Sequence, residues 1–409
     1  MMLPNGWKEV KLGDICDKIG SGSTPKGGRE VYLNAGIPII RSQNVLNGFL
    51  DLSDVAFISD EQHGKMKGTW VRPNDILLNI TGASIGRSCV VPADLETANV
   101  NQHVCIIRLK ECADACYVCN LILSKDVQKQ IELLSVGGGR QGLNFQQIAS
   151  FSFALPPLEE QKKIAETLSV WEKAIEKTEK LIEAKETQKK SLIWKLIESD
   201  CDKKYKLSNV VIDKNKWNKC KLSDIASGFD YGMNAAAKEY DGKNKYIRIT
   251  DIDDESHKFN TVDLVSPNAE LEDKYLVNDG DILFARTGAS TGKSYLYDKS
   301  NGVLYFAGFL IRVHILKDNP FFIYAQTLSS KYQNWLKKMS MRSGQPGINA
   351  EEYKNLPILV PPLPEQNAIA EILSAADKEL NLLKQQLENY KKQKQGLMQK
   401  LLTGQWRVK

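Results

Sequence analysis

The chain lacks the long apolar runs that would direct it into or across a membrane. Its 409 residues contain no stretch of the roughly 18–20 apolar residues that a membrane-spanning helix needs. Met1 to Asp14 has no apolar core after a basic start, so we expect no signal peptide. Eight cysteines at irregular positions suit reduced thiols better than a disulfide framework. We therefore expect a cytoplasmic globular protein of about two or three domains.

Histidine is also scarce, and this limits the chemistry open to the chain. The four histidines are His63, His103, His257 and His314, and none has another histidine or a cysteine at the spacing of metal ligands. We find no convincing Ser/His/Asp set either. The sequence thus predicts no catalytic residues, no metal site and no cofactor.

Two motifs resemble ligand-binding patterns but depart from them. Gly288 to Ser294 has three residues between its glycine and Gly-Lys, where a nucleotide-binding P-loop needs four. Cys112, Cys116 and Cys119 have the spacing of a radical enzyme that holds an iron–sulfur cluster, but the second half of the chain has no cysteines at the matching positions. Residues at this spacing share one helix face, where cysteine packs as a small apolar residue. An enzyme with a cysteine-bound cluster stays an alternative that an iron assay would test.

The chain is an internal duplication. Three segments recur with small changes: Trp7–Ile15 as Trp217–Ile225, Thr81–Ser88 as Thr287–Ser294, and Pro156–Gln161 as Pro361–Gln366. Each copy opens with a Trp-initiated strand and continues with short β-type runs, such as Ile37–Ile40 and Val104–Leu109, before it ends at Pro-Pro. The sequence between matching segments is largely dissimilar. One scaffold therefore carries two different surfaces.

A long helix follows each Pro-Pro sequence. Apolar residues recur there at alternating spacings of four and three, which is the pattern of a coiled-coil seam. The seams are Ile164–Leu196 and Ile369–Leu401, and each position in one lies 205 residues from its counterpart. They turn polar at Lys185, Lys189 and Lys394, where contact is weaker or register is set. A helix with such a stripe must bury it, and its obvious partner is the other copy.

These patterns predict an α+β fold. Two tandem globular domains with small β-sheets and short helices would be joined by two long antiparallel coiled-coil helices in a pseudo-two-fold arrangement. Short helices are expected near Tyr117–Leu134 and Phe321–Met339. The predicted boundaries are a first domain at 1–158, a central helix at 159–200, a linker at 201–216, a second domain at 217–364 and a C-terminal helix at 365–409.

Polar, glycine-rich segments recur in both copies at matching places. Gly137–Asn144 matches Arg342–Asn349, and Ile40–Asn44 matches Ile247–Asp251. Arginine, glutamine and asparagine read base edges in the major groove, while lysine and arginine hold phosphates. Ordinary solvated loops are the alternative for any single residue. The candidate DNA-binding residues are Arg41, Gln43, Asn44, Arg87, Arg140, Gln141, Asn144, Arg248, Lys293, Arg342, Gln345 and Asn349.

The sequence resembles the specificity subunit of a type I restriction–modification system. The resemblance covers essentially the whole chain. Its carriers are the Pro-Pro-Leu-x-Glu-Gln element ahead of each long helix, Trp7–Asp14 with its copy, the Thr-Gly-Ala-Ser-x-Gly-Arg/Lys-Ser turns, and the terminal Leu401–Gly404. It implies two target recognition domains, each reading one half of a split sequence in double-stranded DNA. It also implies that the helices set the gap between the half-sites and dock two methyltransferase subunits, through which restriction subunits join.

In this family pattern, methyl transfer to adenine, ATP hydrolysis and DNA cleavage belong to the partner subunits. A net charge of +5 is compatible with a nucleic-acid partner, but it is modest, so partners would supply much of the phosphate clamp. The alternative is a coiled-coil adaptor whose heads bind protein and not DNA.

Overall fold

The computed structural model describes residues 3–25, 31–135, 142–199, 204–340 and 347–408. The chain divides into two units. Unit 1 comprises Met1–Lys180 with Gln385–Lys409, and unit 2 comprises Leu181–Lys384. We call the part of unit 1 that precedes the first long helix head 1, and the part of unit 2 that lies between the two long helices in sequence head 2.

Head 1 contains ten strands and four short helices among its described residues, and the first long helix follows it. The strands are β1 (Lys8–Lys11), β2 (Cys16–Ser21), β3 (Ile37–Ile40), β4 (Ala56–Ile58), β5 (Trp70–Val71), β6 (Ile76–Asn79), β7 (Ser88–Val90), β8 (Ala98–Val100), β9 (Val104–Leu109) and β10 (Ser152–Leu155). The helices are α1 (Asp60–Lys65), α2 (Ala115–Ile122), α3 (Lys125–Ser135), α4 (Phe145–Ala149) and the long α5 (Leu158–Ile193), which ends in a π-helical turn, Trp194–Glu198.

Head 2 follows a short hairpin, and its last five strands and last three short helices keep the order seen in head 1. The strands are β11 (Tyr205–Leu207), β12 (Val210–Ile212), β13 (Asn218–Lys221), β14 (Ala226–Tyr231), β15 (Ala237–Glu239), β16 (Lys245–Ile247), β17 (Val265–Pro267), β18 (Asp281–Ala285), β19 (Ser294–Leu296), β20 (Leu304–Phe306), β21 (Leu310–Ile315) and β22 (Pro357–Val360). The helices are α6 (Leu222–Ile225), α7 (Pro320–Gln326), α8 (Ser330–Ser340), α9 (Ala350–Lys354) and the long α10 (Leu363–Leu402).

Each head is built on a four-stranded antiparallel sheet. The strand order is β2-β9-β6-β7 in head 1 and β14-β21-β18-β19 in head 2. Strands β6 and β18 are buried along their whole length, which explains their apolar runs at 76–78 and 282–285. A parallel pair also recurs, as β3 with β8 and as β16 with β20. The predicted duplication thus produces matching folds.

Each predicted helical stretch near the end of a head is a pair of helices. In head 1, α2 and α3 are separated at Leu123 and Ser124, and in head 2 a similar break separates α7 from α8. The first helix of each pair has a side-chain cap: Asp114 accepts from the Tyr117 amide at 2.8 Å, and Asn319 caps α7. Pro320 occupies the first turn of α7, where its missing N–H costs nothing.

Both units bury an apolar core that includes the end of a long helix. In unit 1, Met398, Leu401 and Leu402 of α10 join the core of head 1. In unit 2, Leu196 and Ile197 join the core of head 2. Each long helix therefore begins in one unit and ends in the core of the other.

The start of each long helix is tied to its head by a buried glutamate. In unit 1, Trp7 Nε1 donates to Glu160 Oε2 at 3.2 Å, and in unit 2 Trp217 Nε1 donates to Glu365 Oε2 at 2.9 Å. The two carboxylate residues are only 8% and 5% exposed. A charged acceptor makes such a bond stronger than a neutral one would. The Trp that opens each copy and the Glu of Pro-Pro-Leu-x-Glu-Gln are therefore partners.

The neighbouring glutamine fixes the same junction. Gln161 Oε1 accepts from the Asp114 amide at 2.9 Å, and its Nε2 donates to Pro156 O at 2.9 Å. Gln366 makes the equivalent bonds, accepting from the Asn319 amide at 2.8 Å and donating to Pro361 O at 2.9 Å. Because all of these bonds are internal, the Glu-Gln pair acts as a structural anchor in both units.

The two long helices pair in unit 1 through charges as well as apolar contacts. Glu172 pairs with Lys394 at 2.8 Å, and Glu179 pairs with Lys391 at 2.9 Å. The partner's number falls as the glutamate's number rises, so the two segments run antiparallel. Lys394, one of the polar seam positions, thus has a carboxylate partner on the other helix.

The polar seam positions of α5 are matched in the same way in unit 2. Lys185 pairs with Glu379 at 2.7 Å, and Lys189 pairs with Asp377. The order of the partners is again antiparallel. Neither long helix, nor any other helix in the described part of the chain, combines the length and apolar character that crossing a bilayer would require.

We expect Glu365→Ala to destabilise unit 2. The change leaves the Trp217 indole N–H and the Asp213 amide without their acceptor, and each unsatisfied buried donor costs about 1–3 kcal/mol. The midpoint of urea unfolding, followed by tryptophan fluorescence, should fall. Glu371→Ala is the matched control, because Glu371 is exposed on the same helix. Equal midpoints for the two variants would show that the anchor contributes nothing.

Candidate nucleic-acid interface

Four loops of head 1 meet beside the end of strand β6. Leu143 N donates to Ile80 O at 2.9 Å, and Ile80 N donates to His103 O at 3.0 Å. Asn101 N donates to Ile40 O at 3.0 Å. Backbone bonds therefore hold together segments that lie far apart in sequence. We call them loop cluster 1: residues 40–45, 79–88, 101–103 and 142–144.

The same three bonds recur in head 2. Ile348 N donates to Arg286 O at 2.9 Å, and Arg286 N donates to Phe309 O at 3.0 Å. Ala307 N donates to Ile247 O at 3.0 Å. The described parts of the polar segments that match in sequence are therefore brought together in both heads. We call this set loop cluster 2: residues 247–252, 285–294, 307–309 and 347–349.

Glycine is required where a sheet strand runs against each loop cluster. A Cβ on Gly22, just after β2, would lie 1.7 Å from Val100 O. A Cβ on Gly232, just after β14, would lie 2.3 Å from Ala307 O. Because these neighbours are backbone atoms, only glycine permits so close an approach.

Three of the predicted DNA-binding residues lie on one loop of loop cluster 1. Asn44 is 2% exposed; it accepts from the Arg41 amide and donates to Asp51 O and Asp54 O, each at 3.0 Å. Arg41 donates to Asp54 O at 2.8 Å, and the exposed Gln43 donates to the Asp54 carboxylate at 2.8 Å. Asn44 thus shapes the loop, while Gln43 lies at its surface.

Arg87 and Lys293 end the equivalent glycine turns of the two heads. The Arg87 residue is exposed. Lys293 is mostly buried, pairs with Asp254 and donates to Ile252 O at 3.4 Å. The lysine of the P-loop-like motif is therefore engaged by its own head.

Asn144 and Asn349 occupy equivalent exposed positions as helix caps. Asn144 accepts from the Gln147 amide at 2.8 Å at the start of α4. Asn349 accepts from the Glu352 amide at 2.9 Å at the start of α9. The caps fix the direction in which the chain leaves each loop cluster.

Arg248, the counterpart of Arg41 in the predicted set, is paired within its own turn. Its Nε and a terminal nitrogen each donate to the Asp251 carboxylate at 2.8 Å. These hydrogen bonds raise the pKa of Arg248. Arg140, Gln141, Arg342 and Gln345 lie outside the described residues.

The three closely spaced cysteines do not share one environment. Cys119 is buried, with its Sγ 3.7 Å from Ser88 Oγ, whereas Cys112 and Cys116 are exposed. Burial raises the pKa of the Cys119 thiol to about 12, so it stays protonated at neutral pH. Within the described ranges, no group of three or more His, Cys, Asp or Glu side chains is arranged to hold a metal ion.

Sequence reasoning missed two residues of the loop clusters. Asn79 is fully buried and donates to Ser42 O at 2.8 Å, which ties the Arg41–Asn44 loop to strand β6. Arg286 lies at the centre of loop cluster 2, where the first copy has Ile80. The sequence did contain a signal for Arg286, because the aligned position in the first copy is an isoleucine.

Comparison with known proteins addresses the chain as a whole. A family model described as "Type I restriction modification DNA specificity domain" matches residues 4–186 and again residues 214–390. This chain belongs to the type I restriction–modification DNA specificity family. The specificity domain occurs twice, in agreement with the duplication.

Individual members of this specificity family are distant in sequence but match over the full length. A putative type I restriction enzyme MjaX specificity subunit from Methanocaldococcus jannaschii is 24% identical, with 100% of this chain and 95% of the relative covered. The EcoKI specificity subunit of Escherichia coli is 22% identical, with 99% and 91% covered. A crystal structure of the S subunit from M. genitalium has a TM-score of 0.64 at 17% identity and covers 98% of each chain. None of these matches supports the adaptor alternative.

We expect Asn44→Ala to loosen the first specificity head locally. The change removes the buried side chain that bonds two carbonyls and one amide of the loop, at a cost of about 1 kcal/mol. Hydrogen exchange of the amides in residues 41–54 should become faster. Gln43→Ala is the control, because the bond that it removes lies at the surface. The same exchange rates in both variants would contradict the supporting role of Asn44.

Proposed function

We propose that this chain is the DNA-recognition subunit of a type I restriction–modification complex and reads a bipartite target in double-stranded DNA. Each head recognises one half-site through its loop cluster. The chain itself is not catalytic. Two methyltransferase subunits dock on it, and restriction subunits join through that methyltransferase core. The complex acts on DNA in the cytoplasm.

One observation carries the proposal: the two loop clusters share a backbone framework but differ in side chains. The three linking hydrogen bonds are equivalent in both heads. Yet Ile80 corresponds to Arg286, His103 to Phe309 and Arg87 to Lys293. A framework held by backbone bonds leaves its side chains free to differ, as two unlike DNA half-sites require.

The candidate contacts remain those drawn from the sequence. Arg41, Gln43 and Arg87 in head 1, and Arg248 and Lys293 in head 2, carry the donors that suit phosphates and base edges. Asn44, Asn144 and Asn349 would act by shaping their loops. Arg140, Gln141, Arg342 and Gln345 complete the proposed set.

The long helices offer a surface for the methyltransferase subunits. Val170 on α5 is 65% exposed in unit 1, and Leu382 on α10 is 65% exposed in unit 2. Leu181 is 44% exposed. We propose that these side chains are among the contacts of the methyltransferase subunits, because docking would remove their apolar area from water.

Sequencing the methylated bases of host DNA with and without this chain tests the proposed function. A bipartite methylated motif should appear only when the chain and its methyltransferase partners are both present. A motif that persists without the chain, or no motif with all partners present, would contradict the proposal.

Exchange of one head should change one half-site alone. We expect replacement of Trp217–Leu359 by the matching segment of a relative to alter the second half-site, because head 2 packs its own core. The first half-site should keep its sequence. The measurement is the methylated motif in genomic DNA. A simultaneous change of both half-sites would show that the heads do not read DNA independently.

The purified chain should transfer no methyl group by itself. Incubation with S-adenosylmethionine and target DNA should leave the DNA unmodified, and addition of the methyltransferase subunits should restore methylation at the bipartite motif. A matched reaction with the subunits but without this chain controls for their own activity. Methyl transfer by the chain alone would overturn its assignment as a recognition subunit.

A further inference from the structure

An open cavity of about 620 Å³ lies beside loop cluster 2 in head 2. Its wall includes Tyr231, Arg248, Arg286 and Phe309. The two aromatic residues are 44% and 54% exposed, which is unusual for side chains of this size. The cavity therefore presents an arginine between two accessible aromatic rings.

Arg286 is held in a defined orientation. Its guanidinium carbon lies 4.8 Å from the centre of the Tyr231 ring and 6.0 Å from the centre of the Phe309 ring. Its Nε donates to Gly308 O at 3.1 Å. Stacking on an aromatic face attracts the planar cation, and the Nε bond stops the plane from rotating. The two terminal nitrogens have no hydrogen-bond partner in the described part of the chain and form a fixed pair of donors.

The supports of this guanidinium are themselves fixed. The Tyr231 hydroxyl accepts from the Ala350 amide at 3.2 Å. The backbone of Arg286 is bonded on both sides, to Phe309 O and to the Ile348 amide. Arg286 is consequently pre-organised before any ligand binds, which reduces the entropy lost on binding.

Neighbouring basic side chains have acidic partners, whereas Arg286 has none among the described residues. Arg248 pairs with Asp251, Lys293 with Asp254 and Arg312 with Asp230. No described carboxylate lies within ion-pair distance of Arg286. A half-buried, uncompensated cation whose terminal donors are free is suited to an external acceptor.

Head 1 lacks this arrangement. Ile80 stands at the position of Arg286 and is 5% exposed, and His103 stands at the position of Phe309. The arginine is therefore a property of one head and would serve one half-site only.

We propose that Arg286 reads a guanine in the half-site recognised by head 2. This rests on the proposed function and names one base contact within it. The two terminal nitrogens of an arginine match the O6 and N7 acceptors that guanine presents in the major groove. An arginine fork can also bind a phosphate through two hydrogen bonds, but a fork whose plane is fixed by aromatic contacts on the wall of a cavity is suited to the planar edge of a base.

Arg286→Ile tests the proposed contact. The variant replaces the arginine by the residue that head 1 has at the equivalent position. The complete methyltransferase complex is assembled with each variant, and methylation is measured on duplexes substituted at every position of the second half-site. For Arg286→Ile, the preference for one guanine should fall by about 5- to 150-fold. Preferences in the first half-site should not change. Lys299→Ala removes one exposed positive charge from the same unit and should leave all preferences unchanged.

Further variants separate the possible results. Arg286→Lys should lose part of the guanine preference, because an ammonium group lacks the planar fork that the rings hold in place. A uniform loss of methylation on every substituted duplex, with the guanine preference unchanged, would indicate a phosphate contact and overturn the proposal. Phe309→Leu keeps the arginine but removes one ring, and it should weaken the same base preference, so the test survives if Arg286→Ile fails to fold.

Two more results would overturn the proposed guanine contact and leave the proposed function of the chain standing. One is a wild-type second half-site without a G·C pair, and the other is an unchanged preference in Arg286→Ile. The absence of any bipartite motif with the wild-type complex would instead contradict the proposed function.

Discussion

A buried glutamate bonded to a tryptophan indole is the interaction on which each half of this chain depends. Glu160 holds Trp7, Glu365 holds Trp217, and the following glutamine bonds the loop before the first helix of the pair. The bond joins the first strand of a head to the first turns of its long helix. Without these hydrogen bonds, the contact between head and helix would be largely apolar, and apolar contacts are not directional. The anchor therefore fixes the direction in which each helix leaves its head.

Each loop cluster also combines a backbone arrangement that is the same in both heads with side chains that differ between them. Backbone hydrogen bonds link the loops to one another, so these links do not depend on the side chains that point outward. Glycines such as Gly22 and Gly232 let the strands approach closely where a side chain would collide with a carbonyl. Side chains that point outward can then differ between heads without disturbing the sheet beneath.

Much of this fold could be predicted from the sequence. The alternating spacing of four and three marked the paired helices, and the apolar runs marked strands such as β3 and β9, because periodicity reports burial directly. The candidate nucleic-acid interface was harder to predict from the sequence. Asn44 and Gln43 are neighbouring polar residues, yet one is buried and bonded to backbone carbonyls while the other is exposed. Sequence cannot separate them, since the partner of a polar side chain is set by the tertiary fold. Arg286 was missed because its significance lies in the two rings beside it, which come from the end of β14 and from the turn between β20 and β21.

The composition of unit 1 also has a consequence for how the chain is made. Its core includes Met398, Leu401 and Leu402, and Arg407 donates to Glu160 at 2.7 Å and lies over the Trp7 ring. Unit 2 is one continuous stretch, Leu181–Lys384, and can close as soon as that stretch has left the ribosome. The N-terminal unit is therefore synthesised first but completes its core last. Part of that core stays exposed until the residues after Gln385 have left the ribosome. A chain that ended before Met398 would lack three core residues of unit 1 and keep every residue of unit 2.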